Sequence, residues 1–241
     1  MPVVSTGRDG NVAIITMCNG ENRHNLEFAR AMNAAIDEIT ADKTVIALIL
    51  TSSDEKNFSQ GVDIAWTAER FQNNQLHEIK DFLYSMNDVF KKLMLVPMPT
   101  IAAINGHAYG NGAILSCACD YRFMRSDKGY FCFPEVNVGI PFFNGMNAFV
   151  KKAIPDYKFI EMQFTGNRYG ARELESHHII MKSCESREEL MKESMTFAKT
   201  FLKKRGILGE MKKRMYRDII DVMDKIDPSE SIEPLIIMIA D

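Results

Sequence analysis

The chain has 241 residues, a net charge of −3, 46% hydrophobic residues and 25% charged residues. This length allows one large domain or two small ones, and the composition is that of an ordinary globular protein. The charge gives no electrostatic reason to bind nucleic acid or an anionic membrane. No apolar run reaches the ~18 residues needed to cross a bilayer.

The five cysteines are odd in number, and most of them lie in apolar stretches. This pattern predicts reduced, buried thiols in a cytoplasmic protein rather than a disulfide framework. The first apolar stretch, at 12–17, is short and follows charged residues, so it does not resemble a signal peptide. Metal ligands are not grouped: Cys117 and Cys119 form an isolated C-x-C pair, and the adjacent His177 and His178 diverge on a regular element. We therefore expect no metal site and place both histidines at the surface or in packing.

Strands and helices alternate through the first part of the chain. Apolar runs at 11–17, 45–52 and 100–105 predict buried strands. Apolar positions spaced by three and four predict a helix that starts at Asn25 and a second helix over 76–95. The other elements expected here are polar loops at 54–66 and 106–112, a helix at 113–120, and strands at 121–127 and 129–133.

After about Pro155 the pattern indicates only helices with charged faces. These helices are predicted over 156–164, 187–204, 208–226 and 229–239. Alternating β and α elements followed by helices predict an α/β layered core with a helical C-terminal part.

Two glycine-bearing loops follow buried strands. GHAYGNG at 106–112 joins a strand to a helix, and FSQGVDI at 58–64 follows the preceding strand. In a parallel sheet both loops leave at the same carboxyl edge, where ligands of α/β proteins bind. Free N–H groups at a strand–helix junction can bind a phosphate or a developing oxyanion, although the glycines can also serve tight packing alone. The dinucleotide and P-loop patterns are not matched.

One carboxylate, Glu135, lies in the apolar stretch FCFPEVNVGIP at 131–141. At a strand or loop end its carboxylate would reach water and need no special role. In a poorly solvated pocket its pKa would rise, and it could carry a proton near neutral pH. Two N–H groups converging nearby would extend the second interpretation to proton abstraction next to an activated carbonyl.

Four segments resemble the crotonase, or enoyl-CoA hydratase/isomerase, family. LILTSSDEKNFSQGVDIAW is similar to its strand, F-S-x-G-x-D and helix signature, and MPTIAAINGHAYGNGAILSCACDYRFM to its second signature. FPEVNVGIP resembles the third, and TGNRYGARELESHHII a later segment in which His178 stands where a glycine is common. The likeness covers most of residues 5–185 and is greatest to the short delta-isomerases of the plant peroxisomal type.

The resemblance implies an α/β fold, a crotonase-like spiral of ββα repeats with a helical C-terminal part. Residues 1–185 would form the core, and 186–241 would form a helical region of the same domain or a trimerisation or lid part. A homotrimer or a dimer of trimers is expected on the same grounds.

The resemblance also implies roles for residues at matching positions. Glu135 corresponds to the catalytic base, and the backbone N–H groups of Val62 and Asn111 to the oxyanion hole. Contacts to the CoA part of a substrate are implied for Arg23, His24, Gln60, Gly61, Asp63, Ile64 and Gly110. The acyl pocket would include Ile114, Phe142 and Phe143.

Two positions distinguish reactions within the family. Hydratases carry a second glutamate where this chain has Ile114, and dienoyl-CoA isomerases carry a further acid where it has Phe143. Glu135 alone matches the single base of the delta-isomerases. We therefore expect isomerisation of 3-enoyl-CoA to 2-enoyl-CoA in fatty acid β-oxidation, without a metal or redox cofactor. The alternatives are hydration, thioester hydrolysis or decarboxylation by the same family, and a non-catalytic acyl-CoA-binding protein.

Overall fold

The computed structural model describes residues 2–240 and the side chains of residues 2–237. The strands are β1 (Val4–Asp9), β2 (Val12–Met17), β3 (Arg23–His24), β4 (Ala47–Ser52), β5 (Asn57–Ser59), β6 (Gly61–Val62), β7 (Thr100–Ile104), β8 (His107–Tyr109), β9 (Tyr121–Arg125), β10 (Phe131–Cys132), β11 (Arg168–Tyr169) and β12 (Lys182–Cys184). The helices are α1 (Leu26–Ala41), α2 (Ile64–Gln72), α3 (Leu76–Leu95), α4 (Asn111–Ala118), α5 (Glu135–Val138), α6 (Asn144–Val150), α7 (Asp156–Thr165), α8 (Ala171–Ser176), α9 (Arg187–Ala198), α10 (Arg205–Met215), α11 (Arg217–Lys225) and α12 (Glu233–Ala240). A π-helical segment, Pro228–Ile232, precedes α12.

Two sheets form the frame of the molecule. The larger sheet has the order β1-β2-β4-β7-β9-β12, and all its pairs are parallel except β1 with β2. The smaller sheet has the order β11-β10-β8-β5, with β5, β8 and β10 parallel. Each repeat places one strand in each sheet and continues into a helix, as in β4–β5–α2 and β7–β8–α4. This is the ββα repeat that was expected.

The central strands are apolar on both faces because both faces are covered. Ile49 and Ile101 pack with Leu190 of α9 on one side of the larger sheet. Leu48 and Leu50 point to the opposite side and join the main core with α1 and α3. Continuous apolar runs are typical of parallel strands that are buried in this way.

The two long helices follow the predicted pattern closely. Asn25 caps α1, because its side chain accepts a hydrogen bond of 3.0 Å from the N–H of Phe28. Helix α3 begins and ends at the predicted residues, and α1 packs against it. The buried positions of α3 recur every three or four residues, as an amphipathic helix requires: Ile79, Phe82, Met86, Val89, Phe90 and Leu93.

The neighbouring parallel strands β4 and β7 bring the two glycine loops together. Both loops leave the larger sheet at its carboxyl edge, because β4 and β7 run in the same direction. The segment predicted as a loop over 54–66 is more ordered than expected, since it contains β5, β6 and the first turn of α2. Strands of two or three residues are too short for an alternating pattern to reveal them.

The other differences are strands that the sequence did not predict and helices that end or divide at unexpected residues. Strand β1 was not predicted because its sequence, VSTGRD, is polar and mostly exposed. After Pro155 the chain also contains the strands β11 and β12, which were not expected. The predicted helix 187–204 ends at Ala198, and the predicted helix 208–226 is two helices that meet at Tyr216. The last predicted helix, 229–239, begins as the π-helical segment.

The cysteines and the two adjacent histidines behave as the sequence indicates. The five cysteines are free thiols, and four of them are buried. The hydroxyl of Tyr157 lies 3.0 Å from Nδ1 of His177, and His178 is exposed. His178 has a left-handed φ of +58°, which explains why glycine suits this position. Within residues 2–240, no helix is both long enough and apolar enough to cross a bilayer.

A buried carboxylate anchors the end of the chain to the core. Asp227 is fully buried and accepts hydrogen bonds from the Gly145 N–H at 2.9 Å, the Asn87 amide at 3.3 Å and the Ser231 hydroxyl at 3.2 Å. Burial raises the pKa of this carboxyl, and the hydrogen bonds oppose that rise. Asp227 therefore connects the π-helical segment to α6 and α3. The division into a core at 1–185 and a helical part at 186–241 stays a prediction.

We predict that Asp227→Ala destabilises the protein, because it leaves two buried donors without an acceptor. An unsatisfied buried group costs about 1–3 kcal/mol, so the free energy of unfolding in urea should fall by about 2–4 kcal/mol. Asp221→Ala is the matched control, since Asp221 forms only an exposed ion pair of 2.9 Å with Lys225. The control should change stability by less than about 0.5 kcal/mol. Equal losses in the two variants would contradict the anchoring role.

Candidate active site

Glu135 is the first residue of the one-turn helix α5, and two residues separate it from β10 of the smaller sheet. Its carboxylate is turned inward, and Oε2 is buried without a hydrogen-bond partner. Burial raises the pKa of Glu135 from 4.5 to about 7, and a backbone hydrogen bond opposes this rise only partly. An acid with this pKa exchanges a proton readily near neutral pH. Of the two interpretations of Glu135, the structure supports the poorly solvated pocket.

The loop before α4 approaches this carboxylate with its backbone. The Gly110 N–H donates a hydrogen bond of 2.9 Å to the Cys132 carbonyl, which joins the loop to β10. Gly110 has a left-handed φ of +52°, and a side chain there would begin 3.1 Å from Oε1 of Glu135. Glycine thus permits both the turn and the close approach to the carboxylate.

The second loop meets the first loop at Gly61. This residue has a left-handed φ of +77°, and a Cβ atom there would lie 2.7 Å from the Tyr109 carbonyl and 3.0 Å from the Asn111 N atom. The sequence prediction that the two loops converge is therefore confirmed. Tight packing and ligand binding both require such a close approach of two backbones. The glycines alone therefore do not show whether the loops bind an anion or only pack against each other.

Backbone geometry leaves the N–H groups of Val62 and Asn111 available to a ligand. The Asp63 N–H donates to the His24 carbonyl at 2.9 Å, where β6 pairs with β3. Neighbouring N–H groups of a strand point in opposite directions, so the Val62 N–H points away from β3. Asn111 begins α4, and the first N–H groups of a helix have no acceptor within that helix. Two donors at these positions can stabilise a carbonyl oxygen that gains negative charge.

A cavity of about 280 Å³ opens between the loops and helix α3. Val62, Asn111 and Glu135 line it, and Glu135 is the one carboxylate among the described residues that do so. The predicted acyl-pocket residues Ile114, Phe142 and Phe143 line it as well, and all three are at least nine-tenths buried. Residues that the sequence did not reveal as part of this wall are Ile79, Phe82, Leu83, Met86, Met146 and Leu235.

The residues predicted to contact CoA separate into two groups. Arg23, Gln60, Ile64 and Gly110 line the cavity, and Ile64 is 57% exposed. Gly61 is buried against the other loop, and Asp63 caps α2 by accepting a hydrogen bond of 3.0 Å from the Trp66 N–H. The expectation for His24 needs correction: its side chain is fully buried between the loops, so it does not reach a nucleotide.

The comparisons with known proteins identify the family. Residues 7–228 match the family model described as enoyl-CoA hydratase/isomerase. The chain belongs to the enoyl-CoA hydratase/isomerase family. The fold and the loop geometry agree with this membership, since the residues that carry the family signatures meet at one cavity.

Relatives within the family carry names of two different activities. Over 150 residues, 60% of the chain, it is 31% identical to enoyl-CoA delta isomerase 2, peroxisomal, of Arabidopsis thaliana, of which it covers 61%. Over 141 residues, 57% of the chain, it is 38% identical to short-chain-enoyl-CoA hydratase of Clostridium acetobutylicum, of which it covers 52%. The chain thus spans about half to three fifths of these relatives.

A solved structure confirms the fold class. Enoyl-CoA hydratase from Bacillus halodurans superposes with a TM-score of 0.86 at 20% sequence identity. The superposition covers 99% of this chain and 96% of the other one. The spiral of ββα repeats is therefore the crotonase fold, as the sequence predicts.

We predict that Glu135→Gln stabilises the fold in a pH-dependent way. The folded-state pKa of about 7 exceeds the ordinary value of 4.5, so the contribution of Glu135 to stability is fully present below about pH 4.5 and is lost as the pH rises through 7. Gln does not ionise and avoids this loss. In urea denaturation, the variant should gain about 3 kcal/mol relative to wild type between pH 4.5 and pH 8.5. A constant difference between the two proteins over this range would show that Glu135 is well solvated.

Proposed function

We propose that the protein isomerises 3-enoyl-CoA to 2-enoyl-CoA. The observation that carries this proposal is a lone carboxylate in an apolar cavity, with Oε2 lacking a hydrogen-bond partner, beside Val62 and Asn111, whose backbone N–H groups have no acceptor in β3 or α4. A proton shift needs one base and one way to stabilise the intermediate. Glu135 can act as the base, and the N–H groups of Val62 and Asn111 can stabilise the intermediate.

In the proposed reaction Glu135 moves one proton between two carbons of the substrate. The carboxylate removes a proton from C2, and the electron pair of that C–H bond spreads over the thioester oxygen, C2 and C4. The same carboxyl group then returns the proton to C4, which places the double bond between C2 and C3. No other acid is needed, because the proton removed is the proton returned.

The N–H groups of Val62 and Asn111 would hold the thioester oxygen of the dienolate. Two preorganised donors stabilise negative charge where it develops, and the mostly apolar wall of the cavity offers few groups that would hold competing water. Because the donors belong to the backbone, their positions depend on loop geometry rather than on side chains at 62 and 111. The proposed chemistry uses no metal or redox cofactor.

Ile114 argues against hydration as the main reaction. Addition of water to a 2-enoyl-CoA needs a polar group that orients the water, and Ile114 offers neither a donor nor an acceptor. It is 2% exposed and lies in the same cavity wall as Phe142 and Phe143. Water is poorly held between apolar walls. The names of the relatives alone leave both activities open. The apolar side chain of Ile114 is the feature that favours isomerisation over hydration.

Other features of the protein stay predictions. The acyl-CoA substrate class belongs to the proposal. Contact of Arg23 and Gln60, which line the cavity, with the CoA part of the substrate belongs to it as well. A homotrimer or a dimer of trimers, a place in β-oxidation and a cytoplasmic location are expected from the sequence. Sedimentation of the purified protein tests the oligomeric state.

We expect Glu135→Gln to lower kcat for 3-enoyl-CoA isomerisation by about 10²–10⁴-fold, because the general base is lost. Binding of a saturated acyl-CoA, measured by calorimetry, should change by only a few fold. In wild type, kcat/KM should rise with pH and level off above an apparent pKa of about 7, since the carboxylate form is the base.

The matched control for this substitution is Glu210→Gln. Glu210 is 53% exposed, pairs with Arg214 on the surface of α10, and is not among the described residues that line the cavity. This variant should retain wild-type turnover and the wild-type pH profile. Near-normal isomerisation by Glu135→Gln would refute the assignment of the base.

We also expect the wild-type protein to hydrate a 2-enoyl-CoA about 100-fold or more slowly than it isomerises the 3-enoyl-CoA of the same length, since no second group orients water. Ile114→Glu should raise the ratio of hydration to isomerisation, while Ile114→Leu should leave it unchanged. The products can be separated by mass spectrometry. Hydration as fast as isomerisation in the wild type would overturn the interpretation of Ile114.

A further inference from the structure

His24 lies between the two loops that carry the oxyanion donors. Its side chain is fully buried and lies outside the wall of the cavity. The ring stacks on Phe28 of α1, with the ring centroids 4.3 Å apart and the planes 11° from parallel. A histidine packed between a core helix and two loops can fix the position of both loops relative to the core.

Each nitrogen of the ring contacts a different loop. Nε2 lies 2.9 Å from the Ser59 hydroxyl, in the loop that contains Val62. Nδ1 lies 3.0 Å from the side-chain amide of Asn111, whose backbone N–H is the second donor of the proposed hole. The imidazole thus forms a direct bridge between the two loops.

The surrounding hydrogen bonds determine which nitrogen carries the proton. The Ser59 hydroxyl donates its proton to the Asn22 carbonyl at 2.7 Å, so its oxygen must accept from Nε2–H of His24. The other nitrogen, Nδ1, then has no proton and accepts from the Asn111 amide. The same Ser59 oxygen accepts a hydrogen bond of 3.0 Å from the Gly61 N–H, the residue before Val62. All groups of this network are satisfied by a neutral imidazole.

Charging the ring would disrupt the bridge. A proton on Nδ1 would face the amide donor of Asn111, and no carboxylate accompanies the ring among its hydrogen-bond partners. Burial lowers the pKa of His24 to about 3. The ring is therefore neutral throughout the pH range in which Glu135 titrates, and it is not an acid or base in the reaction.

We infer that His24 is a positioning residue that sets the spacing of the two oxyanion donors, through Ser59 for Val62 and through the side chain of Asn111. The inference rests on the proposed function, because it assigns His24 a role in the same site. His24 acts through these residues and does not touch the substrate. Its loss should weaken stabilisation of the dienolate more than it weakens substrate binding.

The test is His24→Phe, which keeps an aromatic ring against Phe28 and removes both hydrogen bonds. We expect kcat for isomerisation to fall roughly 10–100-fold, because loss of a whole oxyanion donor costs about 10²–10³-fold and a displaced donor less. KM should change less than about threefold. The matched control is His77→Phe, at an exposed position on α3, which should behave as wild type.

A spectroscopic readout separates positioning from general damage and needs no turnover. Hexanoyl-CoA labelled with ¹³C at the thioester carbonyl is bound to each protein, and its carbonyl stretch is measured by difference infrared spectroscopy. In wild type the band should lie below that of the free thioester in water, because two N–H groups polarise the carbonyl. In His24→Phe it should move back toward the free value.

A second variant provides a graded comparison. In His24→Gln the amide can replace Nε2–H toward Ser59 but leaves the Asn111 amide without its acceptor, so kcat and the carbonyl band should be intermediate. If His24→Phe does not fold, His24→Gln is judged by the same criterion. A folded variant with the wild-type carbonyl band overturns the inference, as does a wild type without a shifted band.

The two proposals fail in different ways. A wild type that shows the shifted band and the His24 effect but does not isomerise 3-enoyl-CoA refutes the proposed function and retains the inference. A wild type that isomerises normally, with the same band in His24→Phe, retains the function and refutes the inference.

Discussion

The proposed site depends on one unfavourable burial: a carboxylate among apolar side chains, with one oxygen, Oε2 of Glu135, lacking a hydrogen-bond partner. Raising the pKa of Glu135 from 4.5 to about 7 disfavours the charged form by about 3 kcal/mol. Glu135 begins a single helical turn that could not maintain such a position alone. The burial persists because sheet pairing fixes β10 and the Gly110 loop, and Phe142 packs against Phe133 beside them. The rest of the fold is stable enough to tolerate a buried carboxyl group whose pKa is raised to about 7.

The two-sheet frame also explains how the backbone N–H groups of two loops can bind an oxyanion in the proposed reaction. Parallel strands deliver successive loops to one edge, so donors that are far apart in sequence meet without any special side chain. The separation between His24 and Asn111 is 87 residues, and between His24 and Ser59 it is 35. The sheets bring the two loops near each other. The contacts of the neutral His24 ring with Ser59 and Asn111 then fix the spacing between the loops. Regular structure brings the loops together, and a few buried polar contacts set their final positions.

Local sequence patterns predicted the residues whose roles depend on local geometry. Glu135, Gly61 and Gly110 stand in short motifs whose backbone form is determined nearby, and the structure places them where the motifs indicate. The part of the cavity wall that α3 contributes was missed because Ile79 and Phe82 belong to the same apolar stripe that buries this helix, and spacing does not separate core from cavity. His24 was assigned to the nucleotide for a similar reason. A sequence shows a polar residue in a loop but not the distant partners that bury it.

Helix α3 and Leu235 form a wall of the cavity that supplies no group to the proposed proton transfer. The proposed chemistry depends on the carboxyl edges of the sheets, whereas the space that would take an acyl chain depends partly on residues of α3. Substitutions at Leu83 or Met86 can therefore reshape the substrate range while the loops stay as they are. The shape of the cavity and the proposed proton transfer therefore depend on different parts of the sequence, so one can change while the other is kept.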